Sequence, residues 1–251
     1  MLIYGHRGAR GEAPENTLSS FRKAVAAGVT RVELDLHLSA DQQLMVIHDA
    51  TLKRTTGLNG KVAAHTAEEL MQMDARFGHP DWSDPAPIPT LEQVFGACSE
   101  LEHYQLEVKS GSQAQTRRVM AALMPLLDRY QLNNKVVVTS ASRVLLRHIQ
   151  RAEPQLATGL VEEYGWLNPI KSALRYDCQF LVLNWQLCTA ANIARAQRSG
   201  LHVSVWTVND PALMLSLRDM GADSLITDMP QLAMQTLEPS PTPQLEVPGD
   251  C

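Results

Sequence analysis

Residues 31–49 read RVELDLHLSADQQLMVIHD. In the first half, Val32, Leu34 and Leu36 alternate with Glu33, Asp35 and His37, so an extended strand puts three apolar side chains on one face and three ionisable ones on the other. Only the polar stretch SADQQ separates this run from LMVIHD. A parallel crossover needs about a dozen residues or more, so LMVIHD must return as the second arm of a hairpin that turns near Asp41. The hairpin delivers His48 back toward the carboxylates. Charged groups are costly in a core, so the polar face is expected to line an opening, with the apolar face packed under helices.

Outward from this hairpin, strand-like runs alternate with helical patterns along the chain. The runs are LIYG, VELDLH, YQLEV, KVVVTS, TGLV, FLVLN, HVSVWTV and SLITD. Between them lie amphipathic stretches such as NTLSSFRKAVAAG, where Leu18, Phe21 and Val25 recur at helical spacing, Asn16 or Thr17 can cap the start and Gly28 can end it. TLEQVFGAC, SRVLLRHIQRA, TAANIARAQRSG and PALMLSLRDMG follow the same pattern. About eight β–α units predict an α/β fold, a distorted TIM (β/α)8 barrel. Residues 50–89 break the pattern, with a single short helical piece, TAEELMQM, and are expected to form a small cap inserted after the second strand. Residues 1–237, insertion included, then make one domain, and the Pro-rich, aperiodic tail 238–251 is expected to be disordered.

The chain has 251 residues and a formal net charge of −5 with no basic run. That argues against nucleic acid as a partner, which calls for clustered Lys and Arg, but it suits a small anion held by a few local cations. No apolar stretch approaches the ~18 residues of a membrane span, and no amphipathic basic helix suggests stable membrane association. MLIYGHRGA lacks the charged leader and apolar core of a secretion signal, so the cytosol is the expected compartment. Cys98, Cys178, Cys188 and Cys251 show no metal spacing and read as free thiols. No GxGxxG follows the first strand, no Walker loop or GxSxG elbow occurs, and the first strand ends in His-Arg where a two-zinc amidohydrolase would carry HxH. Oligomeric state is open.

Ionisable residues recur at strand ends: His6-Arg7 after LIYG, Glu33 and Asp35, His48, then Glu107 and Lys109 in LEVK. Alternation puts Glu107 and Lys109 on one face, so a third carboxylate joins the first two. Three hard oxygen ligands without thiolate suit one divalent cation, Mg²⁺ first, with Ca²⁺ or Mn²⁺ as alternatives. His6 and His48 form an acid/base pair that titrates near neutrality. Arg7 and Lys109 supply fixed positive charge for a phosphoryl group, and Trp206 in SVWTVN offers an apolar wall for an organic substituent. Together these point to phosphodiester chemistry on a small-molecule substrate.

The same residues resemble the glycerophosphodiester phosphodiesterase family, of the cytosolic bacterial type, and the likeness runs to about Pro230. It is carried by HRG at His6–Gly8, PENT at Pro14–Thr17, VELDLHLSADQQLMVIHD, TLKRTTG from Thr51, IPTLEQV, LEVK, WTVN and the Thr227–Asp228 pair. The resemblance implies a distorted barrel with a small cap, Glu33, Asp35 and Glu107 on the metal, His6 and His48 moving protons, and Arg7 and Lys109 on phosphate. It implies hydrolysis of substrates such as glycerophosphocholine or glycerophosphoethanolamine to sn-glycerol 3-phosphate and an alcohol, with a cyclic phosphate on the way. The alternatives are a phosphodiesterase for lysophospholipids or phosphoinositides on the same scaffold, and a non-catalytic phosphodiester-binding protein. One departure is MDARFGHPDW, where the family often has glycine after Asp-Ala. Arg76 is expected to reshape the cap there.

Overall fold

The computed structural model describes residues 1–109, 112–165 and 168–237; the tail expected to be disordered, and Cys251 within it, lie outside them. The strands are β1 Leu2–His6, β2 Arg31–Leu38, β3 Leu44–Val46, β4 His103–Val108, β5 Val136–Ser140, β6 Ala157–Glu162, β7 Phe180–Asn184, β8 His202–Trp206 and β9 Ser224–Thr227. All but β3 are parallel, in the order β1-β9-β8-β7-β6-β5-β4-β2, and a β1–β2 pairing closes the barrel. The eight staves coincide with the eight runs legible in the sequence. β3 pairs antiparallel with the far half of β2, Leu36 opposite Val46 and Leu38 opposite Leu44. The hairpin tip is fastened by Ser39 Oγ donating to Asp41 Oδ1 at 2.6 Å and by Ala67 N donating to the same oxygen at 2.9 Å.

The outer layer comprises α1 Leu18–Ala26, two short pieces α2 Lys53–Thr56 and α3 Ala67–Leu70, then α4 Leu91–Ala97, α5 Gln113–Arg129, α6 Arg143–Ala152, α7 Pro169–Arg175, α8 Ala190–Arg198, α9 Pro211–Asp219 and α10 Pro230–Leu237. Side-chain oxygens of Thr17, Thr90, Ser142, Thr189 and Asp210 cap α1, α4, α6, α8 and α9, each cap contributing about 1 kcal/mol. Val32, Leu34 and Leu36 of β2 are sealed in the core between barrel and helices. Cys98 and Cys178 are buried and Cys188 half-buried, all as free thiols.

Residues 50–89 fold back on the hairpin. Met45, Ile47, Leu52, Val62, Ala67, Leu70, Ala75 and Ile88 form a second small core, so the insertion is packed structure rather than loose loop. Within it the Arg76 guanidinium reaches Asp74 at 2.7 Å and donates to the carbonyls of Trp82 and Ser83 at 3.1 and 2.8 Å, tying one end of this loop to the other.

Candidate active site

The barrel interior divides in two. Tyr4, Val182 and Ile226, with Val161, Phe180 and Trp206 against them, form an apolar half. The ionisable groups of β1, β2 and β4 form the other half. A cavity of about 330 Å³ lies between them, with His6, Arg7, Glu33, His48, Glu107, Lys109 and Trp206 in its lining. Every site residue singled out from sequence except Asp35 faces this space, and Asp35 is buried directly behind Arg7 and Lys109.

His6 ends β1, and a turn through Arg7 (φ +52°) and Gly8 (φ +85°) follows. Gly8 is required there: a Cβ would lie 2.5 Å from Ser20 Oγ and 2.6 Å from its carbonyl carbon, so any side chain would push α1 away. His6 Nδ1 is 2.6 Å from Asp228 Oδ1. A carboxylate only accepts, so Nδ1 donates and Nε2 is left with its lone pair; Nε2 lies 3.8 Å from Glu33. His48 repeats the arrangement, with Nδ1 donating to Asp49 Oδ1 at 2.6 Å. His37 Nε2 lies 2.9 Å from the His48 carbonyl, so His37 supports the backbone of the pair. Burial lowers the pKa of both His6 and His48, against the opposing pull of their carboxylate partners.

Neither Asp49 nor Asp228 is assigned a role by sequence alone. Asp228 is 222 residues from His6 and also accepts from Asn209 Nδ2 at 2.8 Å. Burial works against its ionisation, yet the His6 and Asn209 contacts hold its pKa below the usual range.

Ligand atoms of Glu33, Asp35 and Glu107 all lie within 4.8 Å of one another. Asp35 is fully buried; burial favours its neutral form, but Arg7 and Lys109 outweigh that and hold its pKa well down. Burial, with the charge of Asp35, pushes Glu33 well up and Glu107 up. Lys109 Nζ lies 3.1 Å from Asp35 Oδ1 and 2.8 Å from Glu107 Oε1, yet Asp35 Oδ1 has no hydrogen bond and no solvent contact. Three hard oxygens converging, one of them buried and meeting no hydrogen bond, fit one divalent cation.

Arg7 Nε lies 3.0 Å from Asp35 Oδ2, and its Nη1 donates to Glu15 Oε1 at 2.9 Å. Asn16, at φ +57°, donates Nδ2 to Asp35 Oδ2 at 3.0 Å, leaving the cap of α1 to Thr17. Both cations face carboxylates on one side and the cavity on the other. Trp206 anchors its ring nitrogen on the Val182 carbonyl at 3.3 Å and forms part of the apolar wall.

Acid/base groups, clustered carboxylates and cations at the C-terminal mouth of a parallel barrel equip a hydrolase for a charged ester. Comparison with known proteins supplies the family. The model of the glycerophosphoryl diester phosphodiesterase family matches residues 6–232, and the chain belongs to that family; it is a phosphodiester-cleaving enzyme. A glycerophosphodiester phosphodiesterase of Caldanaerobacter subterraneus subsp. tengcongensis is 30% identical over 231 residues, covering 92% of this chain and 95% of its own. The Mus musculus lysophospholipase D GDPD1 is 34% identical, covering 90% of this chain and 82% of its own. An Oleispira antarctica phosphodiesterase, solved in complex with the product sn-glycerol-3-phosphate, superposes with a TM-score of 0.86 at 26% identity, covering 94% of this chain and 96% of that one. Among the described residues no helix is long and apolar enough to cross a membrane.

Proposed function

We propose that the protein hydrolyses glycerophosphodiesters such as glycerophosphocholine and glycerophosphoethanolamine to sn-glycerol 3-phosphate and an alcohol. The observation that carries this reading is the pair of histidines, each held through Nδ1 by its own carboxylate, on a cavity that also contains Glu33, Glu107 and Lys109. One histidine Nε2 takes the proton of the glycerol 2-hydroxyl as that oxygen attacks phosphorus, and the P–O bond to the alcohol breaks. The other histidine, protonated, gives its proton to the departing alkoxide. The product of this half-reaction is a cyclic phosphate. Water then opens the ring with the two roles reversed, returning both histidines to their starting states.

Arg7 and Lys109 compensate the phosphate charge from the side opposite their carboxylates. Glu33, Asp35 and Glu107 would hold one divalent cation, Mg²⁺ first, and such an ion would supply Lewis-acid chemistry to the phosphodiester. Trp206 shapes the glycerol side of the cavity. The relationship to a lysophospholipase D favours a second reading in which lysophospholipids are the substrates; a cavity of about 330 Å³ suits a glycerol phosphate and a small alcohol better than a diester carrying an acyl chain.

The test is turnover of a substrate panel in Mg²⁺, read as glycerol 3-phosphate or lysophosphatidic acid release. Glycerophosphocholine, glycerophosphoethanolamine and glycerophosphoglycerol should differ by less than about two orders of magnitude in kcat/KM, since a loosely contacted alcohol changes transition-state binding by only ~1–3 kcal/mol. A diester lacking the glycerol 2-hydroxyl should be far slower; rapid hydrolysis of it rules out the cyclic intermediate. Faster turnover of a choline lysophospholipid than of glycerophosphocholine selects the second reading.

A further inference from the structure

Arg54 links the insertion to the catalytic mouth. Arg54, in α2, donates Nε to Asp49 Oδ2 at 2.7 Å, Nη1 to Glu15 Oε2 at 2.7 Å and Nη2 to Glu15 Oε1 at 2.8 Å. The other oxygen of Asp49 holds His48 Nδ1, and Glu15 Oε1 also accepts from Arg7. The result is an unbroken path of charge-assisted hydrogen bonds, His48–Asp49–Arg54–Glu15–Arg7. It joins the acid/base group of the hairpin to the cation of the first turn.

The geometry demands a guanidinium. Its planar fork grips both oxygens of Glu15 while its remaining N–H addresses Asp49; an ammonium on a lysine stem cannot hold three such directions at once. Glu15 is a firm anchor. It is 8% exposed, and although burial raises its pKa, hydrogen bonds from Arg54 and the charge of Arg7 bring it down to about 2. Arg54 itself has a side chain 42% exposed, and ion pairs at that exposure contribute little to stability. Asp49 is partly exposed as well, so without Arg54 its carboxylate is free to rotate into water and away from the imidazole.

We propose that Arg54 is a positioning residue for the phosphodiesterase reaction: braced on Glu15, it fixes the Asp49 carboxylate that orients His48, so that the insertion sets the geometry of the acid/base pair. The inference rests on the reading of His48 as a proton-transfer group. Among the described residues Arg54 pairs with Asp49 and Glu15 and is absent from the cavity lining, and its effect is expected in kcat more than in KM.

The experiment is steady-state hydrolysis of glycerophosphocholine in saturating Mg²⁺ by the full chain carrying Arg54→Ala, Arg54→Lys, Asp49→Asn, the Arg54→Ala/Asp49→Asn pair, and His48→Ala. Lys53→Ala is the control, since Lys53 Nζ donates to the Gly57 carbonyl at the exposed edge of α2. Arg54→Ala should lower kcat roughly 10–100-fold, as loss of a group orienting a functional imidazole typically does, with a smaller change in KM. Arg54→Lys should recover part of the loss. Adding Arg54→Ala to Asp49→Asn should cost far less than Arg54→Ala alone, because both act through the same carboxylate. Wild-type kcat in Arg54→Ala, or losses that multiply in full in the double variant, overturns the proposal. Should Arg54→Ala fail to fold by thermal melting, Arg54→Lys, which keeps the charge, takes its place in the cycle with the same criteria. If His48→Ala is itself active, the reading beneath the proposal fails; if His48→Ala is inactive and the Arg54 variants are not, only the positioning role fails.

Discussion

At the scale of single residues, the mouth of the barrel solves a problem of imidazole chemistry. In the proposed mechanism a histidine that exchanges protons through Nε2 needs its other nitrogen committed, and Asp228 and Asp49 lie where they make that commitment for His6 and His48, at 2.6 Å each. His6→Ala and His48→Ala should each lower turnover by on the order of 10²–10⁴. If the pair acts as proposed, the double variant should fall well short of the product of the two losses, since residues acting as a unit are non-additive. Glycerol 3-phosphate release measures this, and near-wild-type activity in either single variant removes that histidine from the mechanism. That these residues and Glu33, Asp35 and Glu107 gather at one mouth was legible in the sequence, because ionisable side chains recur at the ends of apolar strands. The carboxylates that orient the histidines were not. Asp228 follows the last stave and Asp49 neighbours His48 itself, while Arg54 and Glu15, which hold Asp49 from further off, come from the insertion and the first turn; no spacing in the chain reports contacts made only when a barrel closes.

The elements themselves follow the same division. All eight staves announce themselves as apolar runs, because a parallel strand covered by helices outside and side chains inside is buried on both faces. The hairpin was recoverable from the length of its turn alone. Harder were α5, which carries Pro125 within its span yet buries Thr116, Val119, Met120, Leu123 and Leu127 at helical spacing, and α2, whose four residues are too few to show a period. At the opposite ends of the staves, β4 and β8 begin with His103 and His202. Tyr4 Oη lies 3.0 Å from His103 Nδ1, His202 Nε2 lies 2.8 Å from Ser224 Oγ, and Phe180 lies against both rings. Burial, reinforced by Arg31 and His202, lowers the His103 pKa to about 4. With a folded pKa below the unfolded value near 6.5, the unfolded chain binds the proton more readily. This contribution to stability is therefore complete above about pH 6.5 and lost as pH falls toward 4. Thermal melting across that window should show a smaller fall for His103→Gln than for the parent; equal falls would remove His103 as a contributor.

For the molecule as a whole, the proposed metal site predicts a link between activity and stability. Glu33 and Asp35 stand on β2 and Glu107 on the adjoining β4, so the like charges repel across the same strand pair that anchors the hairpin and, through it, the insertion. A cation bound there converts that repulsion into a cross-strand link. A ligand that binds only the folded chain stabilises it by RT ln(1 + [L]/Kd), about 2.7 kcal/mol at a hundredfold excess over Kd. At roughly 2–4 °C per kcal/mol for a chain of this size, Mg²⁺ should raise Tm by about 5–10 °C over chelator-treated protein. The same titration should restore turnover that exhaustive chelation abolishes. Glu107→Gln separates the two effects: with one charge fewer the metal-free form should melt higher than the metal-free parent, while the Mg²⁺-dependent rise in Tm and the activity both fall away. Full activity in chelator, with a melting curve indifferent to divalent ions in the parent, would show that the three carboxylates hold no catalytic metal and that Lys109 and Arg7 alone balance their charge.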